Sequence, residues 1–572
     1  MGAFSENRMI TSVNFYRKSL FTAIYAVFFT LSGIANATSE FGSYLAGRHA
    51  QALNDGDKAS TFMMRVLAEN PDDQELLKRT FLLMLSAGKF TMAISLAKRI
   101  ETGGGKMATA ALLLGIDAAR IGDFDAARKR FDALPRRGLN AYAAPLASAW
   151  SSAGAKDFDA ALSTLAELDK KSGFSAMRDL HTGLINDLAN RPEAAEENYR
   201  SVADELHNAP IRVVRAAGSL FERTGRKDEA RKLYQNFLAA HPANVAVGDT
   251  LERMEAGESA QPLIDSAKFG ISESLFNIAS ALPRDRSTDM ALIYARIALY
   301  LQPNFELARL LLGNLFDNQQ RYGKANETYK QIDATSPYHW SARLRIAKNL
   351  SNLDNVDEAI EMLRRMVEVR PNRTDALITL GGILRSKERY QEAVEAYDAA
   401  SERLGEIKPG HWLFFYNRGI ALERSKSWER AEKDFLKALE LRPEQPYVLN
   451  YLGYSWVEKG LNIERAKKMI ERAVEQRHDD GYIVDSLGWV LYRLGDYAAS
   501  VKHLERAIRL RPSDPVINDH LGDAYWRVGR KLEARFQWRR ALGLDPDEDQ
   551  VPDIEAKLEN GLKQDKLNGS GG

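Results

Sequence analysis

Prolines at positions 303, 337 and 371 stand 34 residues apart, and the pairs at 409 and 443 and at 512 and 546 repeat the interval. A 34-residue period is the length of one helix–turn–helix unit in a stacked array. Such a unit cannot bury its apolar side alone, so neighbours must cover it. The chain is thereby constrained to an all-α solenoid, with function expected on a long inner surface rather than in a pocket.

The residue types inside the period have mechanical reasons to be there. The unit over 481–514 carries Leu487, Gly488, Leu491, Ser500, Leu504, Ala507 and Pro512. The next, over 515–548, carries Leu521, Gly522, Tyr525, Ala534, Trp538, Ala541 and Pro546. Glycine inside a helix costs about 1 kcal/mol relative to alanine, a cost that close approach of two helices can offset. Ala534 and Ala541 are small for the same reason, and Leu521, Tyr525 and Trp538 supply apolar knobs at helical spacing. Proline ends each second helix, where an interior position would cost about 3 kcal/mol.

The same phase runs upstream through Gly313 and Tyr329, Gly381 and Tyr397, and Gly419 and Phe435. The unit from 446 has one extra residue near Asn462, and the loop from Ser401 to Gly410 is longer than standard. Units beginning at 272 and 340 carry Ala279 and Ala347 where glycine is usual. Further units begin at 40, 74, 108, 142, 176 and 211. The expected fold is a superhelical solenoid of about fourteen repeats, six before position 243 and eight after 271.

Between the two series the period fails. Residues 244–255 read as an unpaired helix with Val247, Leu251 and Met254 on one stripe, and 257–262 form a turn-rich break. The interruption either redirects the stack or is an eroded repeat that packs like its neighbours. At the start, Arg17 and Lys18 precede an apolar run from Leu20 to Leu31, followed by Ala35-Asn36-Ala37. That order of charge, apolar run and small-residue site reads as a secretory signal peptide cut after Ala37. Retention as an inner-membrane anchor through residues 20–34 is the alternative, although the run is shorter than a spanning helix. The expected organisation is a signal peptide over 1–37, an N-terminal block over 38–242, and an irregular helix and linker over 243–271. A C-terminal block over 272–548 and a polar tail over 549–572 complete it.

Chemical signals are sparse. There is no cysteine, which excludes disulfides, thiolate metal sites and a cysteine nucleophile. Nine histidines include no pair at HExxH spacing, and residues 102–106 lack the GxxxxGK[ST] spacing of a phosphate loop. Gly453-Tyr454-Ser455-Trp456-Val457 lacks the second glycine of a nucleophile elbow. The reading is of no catalytic residue, no cofactor and no metal. With 79 basic against 78 acidic residues, the chain has no net field to hold nucleic acid.

The candidate surface comes from the period itself. The second, fifth, sixth, ninth, twelfth and thirteenth positions of each first helix are expected to face inward or toward the next repeat. In the last four repeats these positions collect Tyr416, Asn417, Asn450, Tyr454, Trp489, Arg493, Trp526 and Arg527. Aromatics and arginine are enriched at interfaces. An asparagine amide can hold a peptide backbone, and arginine takes carboxylates in two-pronged contacts. These eight residues are the candidate partner-binding set, with the alternative that some of the rings are core.

The spacing and repeat residues resemble the tetratricopeptide-repeat (TPR) superfamily across nearly all of the chain after the signal segment. Tyr451-Leu452-Gly453-Tyr454, the stretch from Asp485 to Tyr492, and that from His520 to Trp526 resemble long bacterial envelope TPR proteins. Among these are lipoprotein adaptors that bind and activate periplasmic C-terminal processing proteases and present their substrates. The resemblance implies an exported adaptor or scaffold with a protease and its substrates as partners. The lipid-bearing cysteine of that group is absent here. A structural component of an envelope assembly or polysaccharide-export complex is the alternative.

Overall fold

The computed structural model describes residues 40–170, 174–241, 244–283 and 288–562. The signal-peptide reading and the end of the polar tail lie outside these residues. Among the described residues are thirty α-helices and no strand. The first series consists of α1 (Glu40–Ala52) and α2 (Gly56–Glu69), α3 (Gln74–Ala87) and α4 (Phe90–Thr102), and α5 (Ala108–Arg120) and α6 (Phe124–Asp132). It continues with α7 (Asn140–Gly154) and α8 (Phe158–Ala166), α9 (Ser175–Leu188) and α10 (Pro192–Arg200), and α11 (Ile211–Arg223) and α12 (Lys227–Ala240). Helix α13 (Val245–Glu255) has no second helix.

The second series opens with α14 (Ala267–Ala281) and α15 (Thr288–Leu301), α16 (Glu306–Asn318) and α17 (Tyr322–Tyr329), and α18 (His339–Asn352) and α19 (Val356–Val369). It goes on with α20 (Asp375–Ser386) and α21 (Tyr390–Ser401), and α22 (Trp412–Arg424) and α23 (Trp428–Leu441). The last pairs are α24 (Pro446–Glu458) and α25 (Ile463–Gln476), α26 (Gly481–Arg493) and α27 (Tyr497–Leu510), and α28 (Pro515–Arg527) and α29 (Lys531–Leu542). Helix α30 (Val551–Asn560) ends the described chain. The fold is therefore an all-α solenoid of fourteen helix pairs, as the proline period requires.

One steric relation recurs in these pairs. A Cβ built on Gly488 would stand 2.6 Å from Leu504 Cγ, and one on Gly522 would stand 2.4 Å from Trp538 Nε1. The same opposition joins Gly115 to Phe131, Gly183 to Tyr199, Gly218 to Tyr234, Gly313 to Tyr329 and Gly419 to Phe435. In each case the bulky residue lies sixteen positions after the glycine, buried against its bare Cα. At Gly453 the opposing residue is Ile470, one position later, because the turn before α25 holds the extra residue Asn462 at φ +46°. At two of the positions where the glycine is replaced the opposite residue is small: Phe81 is sixteen before Ala97, and Ala279 before Ala295, all buried.

In the described turns inside pairs a left-handed residue recurs, filled by Gly122, Gly225, Gly495 and Gly529 in some and by Asn190, Gln320 or Lys426 in others. Asp55, Asp123, Asp157 and Asp496 accept the backbone N–H three residues on, capping their second helices.

The described chain divides into two compact units, one over 40–359 and one over 360–562. Gly488→Val tests the steric relation, since Ser500 also donates to the Gly488 carbonyl at 2.7 Å and pins the helices at that point. Overpacking there is expected to lower stability by about 1–3 kcal/mol in denaturant unfolding. Adding Leu504→Ala should restore part of the loss; a double variant less stable than the sum of the two singles would refute the opposition.

Candidate functional site

In the unit over 360–562, successive first helices touch: α20 meets α22, α24 meets α26, and α26 meets α28. No two second helices there come into comparable contact. The first helices therefore line the inner, tighter side of the curve, where the candidate residues were expected.

Their side chains engage one another across repeats. Tyr416 meets Tyr451 edge-on at 6.2 Å, and the Tyr451 hydroxyl donates to Glu423 at 3.1 Å. Glu458 on α24 accepts from Trp489 Nε1 at 2.7 Å and pairs with Arg493 at 3.0 Å, both on α26. The Trp489 ring stacks on Tyr492 at 4.9 Å and on His520 at 4.0 Å. His520 Nδ1 lies 3.0 and 3.1 Å from the two Asp485 oxygens, and Arg527 donates to the Tyr492 hydroxyl at 3.2 Å. At the end of the stripe, Lys557 on α30 reaches Asp519 at 2.8 Å, Asp523 at 3.1 Å and Asp553 at 2.9 Å. Trp538 Nε1 also donates to Asp523 at 2.9 Å.

Of the eight candidates, Tyr416, Asn417, Tyr454, Trp489 and Arg527 are half-buried and Arg493 is exposed. Two depart from the expected placement. Asn450 is only 4 % exposed, because it sits where α24 packs against its neighbours. Its Oδ1 receives no hydrogen bond from any described residue. Trp526 packs on Trp538 at 5.4 Å and against the backbone at Gly561, so it belongs to the terminal core that α30 closes. Glu458, His520, Asp519, Asp523 and Lys557 were not among the candidates. The usable signal was the repeat offset itself, since Glu458 precedes Arg493, and Asp485 precedes His520, by about one period.

Electrostatics follow from this crowding. Burial opposes charge on His520, but the Asp485 carboxylate outweighs it and raises the imidazole above its ordinary value. Burial, with the neighbouring Asp519 carboxylate, pushes Asp523 up to about 7 against the pull of Lys557. Both groups hold protons more tightly folded than unfolded, so their stabilisation is present at low pH and lost as pH rises through the folded values. The unit over 360–562 is expected to melt at lower temperature at pH 8 than at pH 6, followed by circular dichroism. Asp523→Asn should flatten that slope; a slope of opposite sign would overturn the assignment.

The inner face of the unit over 40–359 is organised differently. Helix α14 runs along α7 and touches α9, and α15 touches α3 and α5. Gly270 of α14 lies on the face of Trp150, whose Nε1 donates to His181 Nδ1 at 3.0 Å. The other His181 nitrogen faces the Asn277 amide at 3.2 Å, and complete burial lowers this imidazole to about 3, leaving it neutral. Arg212 of α11 pairs through two hydrogen bonds with Glu273 of α14, both buried. On α15, Tyr300 stacks on Phe90 at 4.2 Å and donates to Asp117 at 2.9 Å. The groove of the first series is thus filled by the chain's own helix pair.

Among the described residues no helix is long and apolar enough to cross a membrane. No group of three or more histidine, aspartate or glutamate side chains among them could hold a metal ion.

Tetratricopeptide-repeat family models match residues 214–244, 318–381 and 488–529. The human protein O-mannosyl-transferase TMTC3 is 28% identical over 189 residues, 30% of this chain and 20% of that protein. The general transcriptional corepressor ssn6 of Schizosaccharomyces pombe is 31% identical over 133 residues, 23% of this chain and 12% of that protein. The chain thus spans a fifth or less of the length of these curated relatives. The crystal structure of the APC/C hetero-tetramer Cut9-Hcn1 aligns over 92% of this chain and 97% of that one, with 15% identity and a TM-score of 0.39. Three stretches of this chain thus match tetratricopeptide-repeat models, and each lies within the helix pairs described above.

Proposed function

We propose that this chain is an exported scaffold whose repeats over 412–527 bind a segment of a protein partner along their inner face. Tetratricopeptide-repeat proteins are in general non-catalytic scaffolds that act through such surfaces. The observation that carries the reading is the contrast between the two inner faces. That of the first series is occupied by α14 and α15, whereas the stripe from Tyr416 to Arg527 joins half-buried rings to an exposed arginine and carboxylates. Rings and arginine held in place by cross-repeat hydrogen bonds lose little entropy on binding, which favours affinity. Trp489 is the proposed anchor, fixed by Glu458 and His520, with Arg493 on the same glutamate and Asn417 farther along the stripe.

The finer reading rests on sequence. The signal segment argues for the periplasm, and the motifs from Tyr451 to Trp526 argue for an adaptor of a C-terminal processing protease. A structural role in an envelope assembly is the second reading, and proteolysis measured with and without this chain separates the two. N-terminal sequencing of the exported protein should begin at Thr38; recovery of Met1 on cytoplasmic protein would reject export.

Binding is tested by replacing Asn417, Trp489 and Arg493 together with alanine and comparing capture from the envelope fraction with wild type. Affinity for captured partners should fall on the order of tenfold or more, since each hot-spot residue is typically worth about 2 kcal/mol. Helicity and melting serve as the fold control. Partners retained by a folded triple variant would move the binding surface elsewhere.

A further inference from the structure

Within the unit over 40–359, the first two helix pairs meet α15 and α17 at a cluster of positive charge. Lys324 of α17 pairs with Asp57, the first-turn aspartate of α2. Lys89 Nζ donates to the Asp57 carbonyl at 3.3 Å, to Ser60 Oγ at 2.9 Å and to Thr61 Oγ1 at 3.2 Å, with no carboxylate among these partners. Arg296 of α15 reaches in beside Gly88, where a Cβ would meet its NH1 at 2.4 Å. Gly88 holds φ +77° as the C-cap of α3, so backbone and side-chain space are both reserved there for the guanidinium. Arg296 and Arg321 flank one ring, Phe316, with their guanidinium carbons 5.5 and 4.8 Å from its centre.

Arg296 is the unexplained member. It is half-buried, its Nε is sealed from solvent without a hydrogen-bond partner, and no carboxylate among the described residues pairs with its guanidinium. An arginine carries five N–H donors and cannot shed its charge cheaply. Its remaining N–H donors keep access to solvent, so an anion arriving there finds donors that the protein has not taken. Burial, and then Arg321, hold Arg296 down to about 10 even though Asp57 pulls the other way. Burial lowers Arg321 as well, with Asp57, Asp55 and Asp289 opposing. Lys58 is taken by Asp55 at 3.2 Å. Among the described residues Lys58, Lys89, Arg296, Arg321 and Lys324 therefore face Asp55, Asp57 and Asp289, and positive charge exceeds negative by two.

Lys89 and Arg321 are also the residues that precede α4 and α17, and neither side chain caps its helix. Lys89 and Arg321 thereby stand at the positive ends of two helices. A doubly charged tetrahedral oxyanion would match the excess charge and supply acceptors for the Arg296 fork.

We propose that Arg296, Arg321, Lys89 and Lys324 form a binding site for a phosphate dianion, free or as a phosphate monoester, that ties the first two helix pairs to α15 and α17. The site is independent of the inner stripe over 412–527. Its occupant neutralises the cluster and locks α15 in the groove, so binding stabilises the folded chain by linkage.

The test uses the full mature chain and inorganic phosphate as the probe. Isothermal titration at fixed ionic strength should show one phosphate site, and the melting temperature should rise with phosphate and with sulfate but not with matched chloride. O-phosphoserine binding as tightly as phosphate identifies a monoester site, and weaker binding identifies free phosphate; acetate binding as tightly as either would overturn the dianion assignment. Arg296→Met keeps the apolar stem and removes the fork, and should weaken phosphate binding at least tenfold while the chain stays folded. If Arg296→Met does not fold, Arg321→Gln carries the same expectation. No heat and no melting shift beyond chloride, or unchanged phosphate affinity in the folded variant, overturns the site.

Discussion

The architecture depends on how closely two helices can lie when one presents a bare Cα to a bulky side chain sixteen residues later. Gly522 against Trp538 and Gly218 against Tyr234 leave no room for even a methyl group. The relation is spatial rather than numerical: the extra residue Asn462 moves the partner of Gly453 to Ile470 and the contact survives. Where Phe81 takes the glycine position, Ala97 takes the aromatic one, so the summed volume is kept while its owners exchange. Each pair then presents a fixed face to the next, and the inner stripe inherits its geometry from that spacing.

Because this relation spans only sixteen residues, the fold was legible. Helix starts at 40, 74, 108, 211, 306, 412, 446, 481 and 515 match the period directly, and those expected at 142, 176, 272, 340 and 374 are displaced by one to five residues. The candidate surface was legible in part. Trp489 and Arg493 lie on the inner face, but Glu458 and His520, which orient them, sit one period away and carry no local mark. Asn450 and Trp526 obey the same positional rule yet are taken up by packing, because position names a direction and not the depth of what covers it. The return of α14 and α15 across α3, α5 and α7 was not legible, because it joins residues as far apart as Asp117 and Tyr300 through ordinary side chains.

The two inner faces illustrate two uses of one scaffold. In the first series the groove is filled by helices whose buried pair, Arg212 with Glu273, and neutral His181 satisfy one another away from water. Buried ion pairs of this kind contribute little net stability but penalise any register that separates them. In the later series Tyr416, Trp489, Arg493 and Arg527 are held by contacts across repeats yet remain partly exposed. Fixed on both sides, they form a surface of defined shape rather than a set of loose side chains.

The filled groove changes how the first half of the chain can come to its native state. A repeat array normally grows from any nucleus by adding neighbours, and its early members can fold while the ribosome is still at work. Here the opening pairs find part of their core only in residues 267–301 and an ionic contact only at Lys324. Contacts of that separation carry a large loop-closure cost and slow folding. The first six pairs must therefore wait, with an apolar groove open to other chains, until the later helices emerge. In this segment the solenoid behaves as one indivisible globule, and a chain cut between 240 and 301 is not a shorter array but an unfinished one.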